Sequence, residues 1–166
     1  MISKKILSVI TSVMVFCCVV GVSLTNVKAD DSAPKSVDGS YLTSADSSTG
    51  YTPKNNERGK HLMDGQCSIS KTGTKRIYAY GSTTANHTVD ALEVIVYVDQ
   101  YNEKDGKWDQ IDEFSKKVEN DYYVATSKSI QVDRGYYYRV HASHIVCMAG
   151  SPDEETFSVT NGVLVP

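Results

Sequence analysis

Helical periodicity is almost absent from this chain after residue 30, and so are the short motifs of the common enzyme classes. Apolar residues do not recur at three- and four-residue spacing. Only residues 109–118 could wind a turn or two, and Lys107-Trp108 ahead of them reads better as a strand start. No glycine-rich phosphate loop, His-Glu-x-x-His or Cys-x-x-Cys occurs, which leaves nucleotide, zinc-protease and dithiol chemistry without their residues. Proline (4), phenylalanine (3) and tryptophan (1) are scarce. Positive charge is in deficit, 17 basic against 20 acidic side chains, which excludes a basic nucleic-acid binder. What remains, 40% apolar and 22% charged over 166 residues, is the composition of one small globular domain.

The first residues read as an export signal. Lys4 and Lys5 precede an uncharged, mostly apolar run from Ile6 to Leu24, and Val27-Lys28-Ala29 ends it on a small residue. That three-part layout places cleavage after Ala29 and predicts a secreted, extracellular product with no stable membrane insertion after cleavage. An uncleaved anchor is the rival reading, but Ser, Thr and Gly interrupt the run. Removing 1–29 takes away three lysines and no acid, leaving 14 basic and 20 acidic residues, net −6. Two cysteines remain, Cys67 and Cys147, and an even count in an exported chain predicts a disulfide. Closing that 80-residue loop would contribute roughly 4–5 kcal/mol by chain entropy.

Residues 30–65 are expected to form an extended arm. They are rich in Ser, Thr, Asp and Gly, and up to residue 60 their only large apolar groups are Val37, Tyr41, Leu42 and Tyr51. From residue 66 the pattern changes to alternation broken by turns. Strands are predicted at 66–70, 75–83, 89–101, 107–114, 122–132, 136–146 and 155–160. The Asp105-Gly106 step makes a hairpin of the third and fourth. Seven short strands in about 100 residues predict an all-β, two-sheet antiparallel sandwich of the immunoglobulin type over 66–166. Strict strand reversal would bring Cys67 and Cys147 to one pole.

The sequence carries two resemblances to known families. Val132-Asp133-Arg134-Gly135-Tyr136-Tyr137-Tyr138-Arg139-Val140-His141-Ala142 resembles the segment between strands E and F of fibronectin type III domains, with Arg134 where that pattern has proline. The resemblance implies that the Tyr138 hydroxyl bonds upstream backbone. Tyr41-Leu42-Thr43-Ser44, Ser47-Ser48-Thr49-Gly50-Tyr51-Thr52-Pro53, Leu62-Met63-Asp64-Gly65-Gln66-Cys67-Ser68-Ile69-Ser70, Tyr80-Gly81-Ser82-Thr83-Thr84-Ala85 and Arg134-Gly135-Tyr136-Tyr137-Tyr138-Arg139-Val140 resemble an uncharacterised family. Its members are small secreted proteins of Gram-positive, clostridia-like bacteria. That resemblance implies no catalytic residues, and it implies that the arm is part of the module.

Catalytic and metal candidates are weak. His141 and His144 lie three apart on a strand and so point to opposite faces, which suits no chelate and leaves them, with Ser143, as surface polar residues. The acids Asp112-Glu113 and Asp153-Glu154-Glu155 are adjacent rather than opposed across a cleft. Asp99, Glu103, Asp105 and Asp109 match no defined calcium spacing. No cofactor, metal or catalytic residue is therefore expected. The informative excess is tyrosine, 11 residues. Tyr97, Tyr101, Trp108, Tyr137 and Arg139 are expected to share one outer sheet face, and those residue types dominate binding hot spots. Around it, residues 99–121 hold 8 acids and 4 bases, which disfavours anionic partners. The expected function is non-catalytic binding of protein or glycan. The alternatives are a small hydrolase with a loop-built site, or a secreted antagonist whose arm docks a partner.

Overall fold

The computed structural model describes residues 35–38, 40–53 and 59–166; the leader read at 1–29 lies outside them. Among the described residues every regular element is a strand. β1 is Ser36–Val37, β2 Ser40–Thr43, β3 Ser47–Tyr51, β4 Leu62–Gly73, β5 Arg76–Asn102, β6 Lys107–Gln131, β7 Tyr136–Cys147, β8 Glu154–Val159 and β9 Gly162–Val165. Three of the nine come from the stretch expected as an arm. The short segment after β8 supplies β9.

Length is the main departure from expectation. The segments 75–83 and 89–101 are one strand of 27 residues, β5, and 107–114 and 122–132 are one strand of 25, β6. The hairpin they form does not end where the sequence breaks its alternation; it bends there. Pairing passes from Thr84↔Tyr123 to Val89↔Asp121, so four residues of β5 stand against one of β6, and Asn120 takes a left-handed φ of 53°. Ala85-Asn86-His87-Thr88 resembles a turn, and the fold uses it as a bulge, which sharpens bending and twist without ending the ladder. Inward residues shift from odd numbers (Ile77, Ala79) to even ones (Leu92, Val94, Val96, Val98) across this break, all of them fully buried.

β4 pairs with the first half of β5 and β7 with the second half, both on the same edge, while β6 follows the other edge throughout. The sheet runs β1-β2-β9-β7-β5-β4-β3, with β6 on β5 and β8 on β7. It is one curled sheet rather than two separate ones. It is also mixed, because β2 and β9 are parallel. Curling lays the two halves of β5 against each other. A Cβ on Gly81 would come 2.5 Å from Val96 Cγ2 and 3.0 Å from Val94 Cγ2, closer than side chains pack, so the approach requires glycine. The β5–β6 turn and the 133–135 turn form as the sequence indicates, with Gly106 and Gly135 at φ 66° and 85°. Tyr138 is buried and its hydroxyl donates to the Asp133 carbonyl at 2.9 Å. Burial pushes its pKa up to about 12.

The expected disulfide is absent: Cys67 and Cys147 are both free. The reason is register. β4 starts at Leu62, so Cys67 is mid-strand, not at a pole, and its thiol donates to the Val140 carbonyl at 3.5 Å. Val140 precedes Cys147 by seven residues on β7, a separation of ~23 Å at strand rise. In the chain from residue 30 on, a maleimide should therefore label Cys147 in the native protein and both cysteines after denaturation. Burial pushes the Cys67 thiol up to about 11 and keeps it inert. A non-reduced, denatured protein with no titratable thiol would contradict this register.

Candidate functional site

Of the five residues expected to form an aromatic binding face, Tyr101, Trp108 and Arg139 come together beside the second half of β5, Tyr97 stacks on His141 instead, and Tyr137 lies two residues before Arg139 on β7. Register sets Asp99 beside Arg139, Tyr97 beside His141 and Tyr101 beside Trp108. The face is not bare. Arg139 is buried, donating from Nε to Asp99 Oδ2 at 2.9 Å, from Nη1 to Ser40 Oγ at 3.1 Å and from Nη2 to Asp38 Oδ2 at 3.3 Å. Its guanidinium lies 4.4 Å from the Trp108 ring centroid. Lys35 stands over the Tyr101 ring. The N-terminal strands thus cover the centre of the face, and Tyr101 is only 2% exposed. Tyr97 stays half-buried, stacked on His141 with centroids 4.6 Å apart. Asp99 is buried, which by itself would raise its pKa; hydrogen bonds from His141 and Arg139 outweigh burial and hold it below the ordinary carboxylate range. The Trp108 indole N–H is buried with no acceptor among the described residues. Such a group costs about 1–3 kcal/mol, so the docking of the arm is a compromise of packing against polar satisfaction.

Beyond the covered zone, the same side opens into a cleft of about 560 Å³ at one pole. Tyr137 and Tyr101 line it with Tyr136, with Arg134 from the 133–135 turn, and with Glu103, Lys104 and Asp109 from the β5–β6 hairpin. Tyr136 is 43% exposed. Of the expected face, Tyr101 and Tyr137 reach this cleft, while Tyr97, Trp108 and Arg139 do not. Sequence reasoning passed over Arg134 and Tyr136 because they fall in and beside a turn, outside the strand phase used to assign faces.

Two further polar groups were missed. His144, expected at the surface, is fully buried. Its Nε2 meets Ser158 Oγ at 2.8 Å and its Nδ1 meets Thr83 Oγ1 at 3.0 Å. Gly65 sits against the ring, where any side chain would collide. Ser158 also contacts the Cys67 thiol, so Thr83, His144, Ser158 and Cys67 form one buried polar series. Burial lowers His144 to about 4, against weaker raising influences from Asp64 and the Ser82 backbone. The imidazole is neutral, fully satisfied and sealed, which suits a structural role rather than proton transfer. The signal was present: His144 is in phase with Tyr138, Val140, Ala142 and Val146, all buried.

The second group lies near the other end of β4. His61 Nε2 meets Ser151 Oγ at 3.2 Å, and His61 Nδ1 meets His87 Nε2 at 3.2 Å. The Glu154 carboxylate accepts the backbone N–H of His61 at 2.9 Å and of Leu62 at 2.7 Å. Partial burial would raise the Glu154 pKa, but these amides, with that of Lys60, hold it below the usual range. His61 is buried and His87 exposed.

Residues 29–162 match the model of a family of unknown function, DUF6147. The match takes in the segment read as an arm, in keeping with the strands that segment forms. No curated protein matches the chain.

Neutral His144 links stability to pH. Its folded pKa of about 4 lies below the ordinary value of 6.5, so between those limits the unfolded chain binds the extra proton. The contribution is complete above pH 6.5 and declines as pH falls towards 4, by about 3 kcal/mol for a shift of this size. Denaturant titrations across that window should show the loss, and His144→Leu should flatten it while lowering stability at pH 7. An equal loss in the leucine variant would assign the effect elsewhere.

Proposed function

The chain belongs to the DUF6147 family of unknown function, and we propose that it is an exported, non-catalytic binding module that receives a polypeptide segment in the polar cleft. The observation that carries this reading is the cleft itself: exposed Tyr136 and half-buried Tyr137 beside two cations, Lys104 and Arg134, and two acids, Glu103 and Asp109. Tyrosines bring large contact area at low entropy cost. Paired charges of both signs complement a peptide chain better than a neutral glycan, which would leave them unmatched. Export is supported by the leader-like pattern of residues 1–29 and the net charge of −6 beyond it. A sandwich-like reading of the curled sheet is supported by the packing of Gly81 against Val94 and Val96, and a fibronectin-like E–F corner by the Tyr138–Asp133 bond.

A library of displayed peptides selected on the chain from residue 30 on tests the reading. Selected peptides should bind at least about tenfold more weakly to Tyr136→Ala and to Tyr137→Ala, the scale of a hot-spot truncation, with thermal unfolding unchanged. Undiminished binding in both folded variants, or no enrichment at all, would remove the cleft as a ligand site.

A second reading, a hydrolase, rests on the Ser151–His61–His87 chain of contacts, in which Ser151 would be nucleophile, His61 base and His87 the orienting group. Against it, the Ser151 amide is engaged by the Met148 carbonyl, and the tyrosine-lined cleft does not reach Ser151. A fluorophosphonate probe separates the two readings. The binding reading expects no covalent labelling; labelling that disappears in Ser151→Ala would establish the hydrolase.

A further inference from the structure

The first half of the curled sheet has an outer face that the cleft does not involve. Across β3, β4, the first half of β5 and the second half of β6, register builds three successive rungs of four residues each. One rung passes through Tyr78, the next aligns Ser68, Tyr80 and Ser127, and the third runs from Tyr51 to Ala125. Their neighbours on each strand, Cys67, Ile69, Ile77, Ala79 and Val124, are buried. By strand alternation the rungs therefore face outward, with Ser82 in the third rung buried beneath its neighbours.

None of these twelve positions carries a charge, in a chain that is 22% charged. Ser, Thr, Tyr and Gln fill all but the alanine. Charge resumes one rung beyond at each end, at Asp64 and at Arg76. Tyr51 is 60% and Tyr78 39% exposed. Tyr123, in the rung of Asp64, extends the aromatic surface and shares a hydrogen bond with Tyr80, oxygen to oxygen at 2.8 Å, which fixes both rings on the face.

We infer that this face is a docking surface for an uncharged polysaccharide. The charge match is the first argument: a face without ions offers no ion pair to an anionic or cationic polymer, and it imposes no charge desolvation on a neutral one. Chemistry is the second. Serine, threonine and tyrosine hydroxyls both donate and accept, as sugar hydroxyls do, and tyrosine rings present flat apolar area to the C–H faces of sugar rings. Shape is the third. Strand spacing and rise make the rungs a surface about 15 Å across and 13 Å along, which suits an extended chain lying on it rather than a single sugar in a pocket. A protein partner would find none of the outward aliphatic or arginine side chains that anchor such interfaces.

The test is retention of the chain from residue 30 on by insoluble neutral polysaccharides (cellulose, chitin and a β-1,3-glucan), with alginate beads as the anionic control. The expected result is retention on at least one neutral matrix, equal at 0.15 and at about 1 M salt, where surface charge effects are screened. Tyr51→Ala/Tyr78→Ala/Tyr123→Ala should reduce the bound fraction at least about tenfold with unfolding temperature unchanged. Tyr51→Ala alone, on the edge strand β3, should give a smaller loss and serves if the triple variant does not fold. Tyr136→Ala should leave retention intact, so failure of the cleft reading and failure of this one are distinguishable. The inference is overturned by retention on none of the neutral matrices, by salt-sensitive retention on alginate alone, by retention indifferent to Tyr51, or by a dimer in solution that the Tyr51 substitution dissociates.

Discussion

The structure depends on the two halves of one strand lying against each other. β5 is 27 residues long, or ~90 Å if straight, too long for a domain of this size to accommodate without bending. The bulge at 85–88 turns it, and the missing side chain at Gly81 lets its first half close on Val94 and Val96 of its second. Close packing makes that approach sensitive to a single added carbon. Because β4 and β7 pair with successive halves of the same edge, the bend also fixes what faces what. It brings the Cys67 thiol to the Val140 carbonyl and the His144 ring against Gly65. The absence of a disulfide and the burial of a histidine follow from that one geometry.

The N-terminal strands follow from a second constraint, the burial of a charge. Arg139 stands on the outer side of β7, where nothing in the sheet itself could enclose it. Asp99 neutralises it from the next strand, Trp108 covers its plane, and Asp38 and Ser40 complete its donors from the arm. Removing one partner of such a pair costs far more than the pair contributes over an apolar replacement. The contact therefore specifies where the arm sits more than it adds stability. It also explains why residues with hot-spot character are turned inward. Their aromatic surface serves an internal partner, while Tyr136 at the pole and Tyr51 and Tyr78 on the other half of the sheet stay open to solvent.

Much of this was legible in the sequence, because alternation reports burial directly. The inward series Leu92, Val94, Val96, Val98, the hairpin at Asp105-Gly106 and the turn at Gly135 could all be placed from residue types. Continuity could not. Ala85-Asn86-His87-Thr88 has the composition of a turn, and whether such a stretch ends a strand or bends it depends on the partner strand. Here Asn120 of β6 absorbs the bend. Starting β4 at residue 66 rather than at Leu62 moved Cys67 to a pole and made a disulfide seem natural. His144 was misplaced for another reason. Residue type outweighed phase, although phase put it squarely among buried neighbours. The arm was underestimated because its few apolar residues cannot fold alone, and they do not need to: β2 borrows its ladder from β9 and β3 from β4.

These placements bear on how the molecule works. A buried titratable group is expensive unless it is neutral or paired, and three in this interior are one or the other. Cys67 is held protonated, His144 is held uncharged between two hydroxyls, and Asp99 is bound by Arg139 and His141. Catalysis needs the opposite arrangement, a group poised between states and open to a substrate. Of the clusters described, Ser151, His61 and His87 come nearest to a nucleophile beside a base, and there the Ser151 amide is engaged by the Met148 carbonyl. Cys67, His144 and Asp99 stay in one electrical state, while most of the tyrosines, the residue the chain has in excess, lie on surfaces that water reaches. The two surfaces proposed to receive partners differ in the property that selects one. One offers charge of both signs within a concave wall, and the other offers none on a flat one.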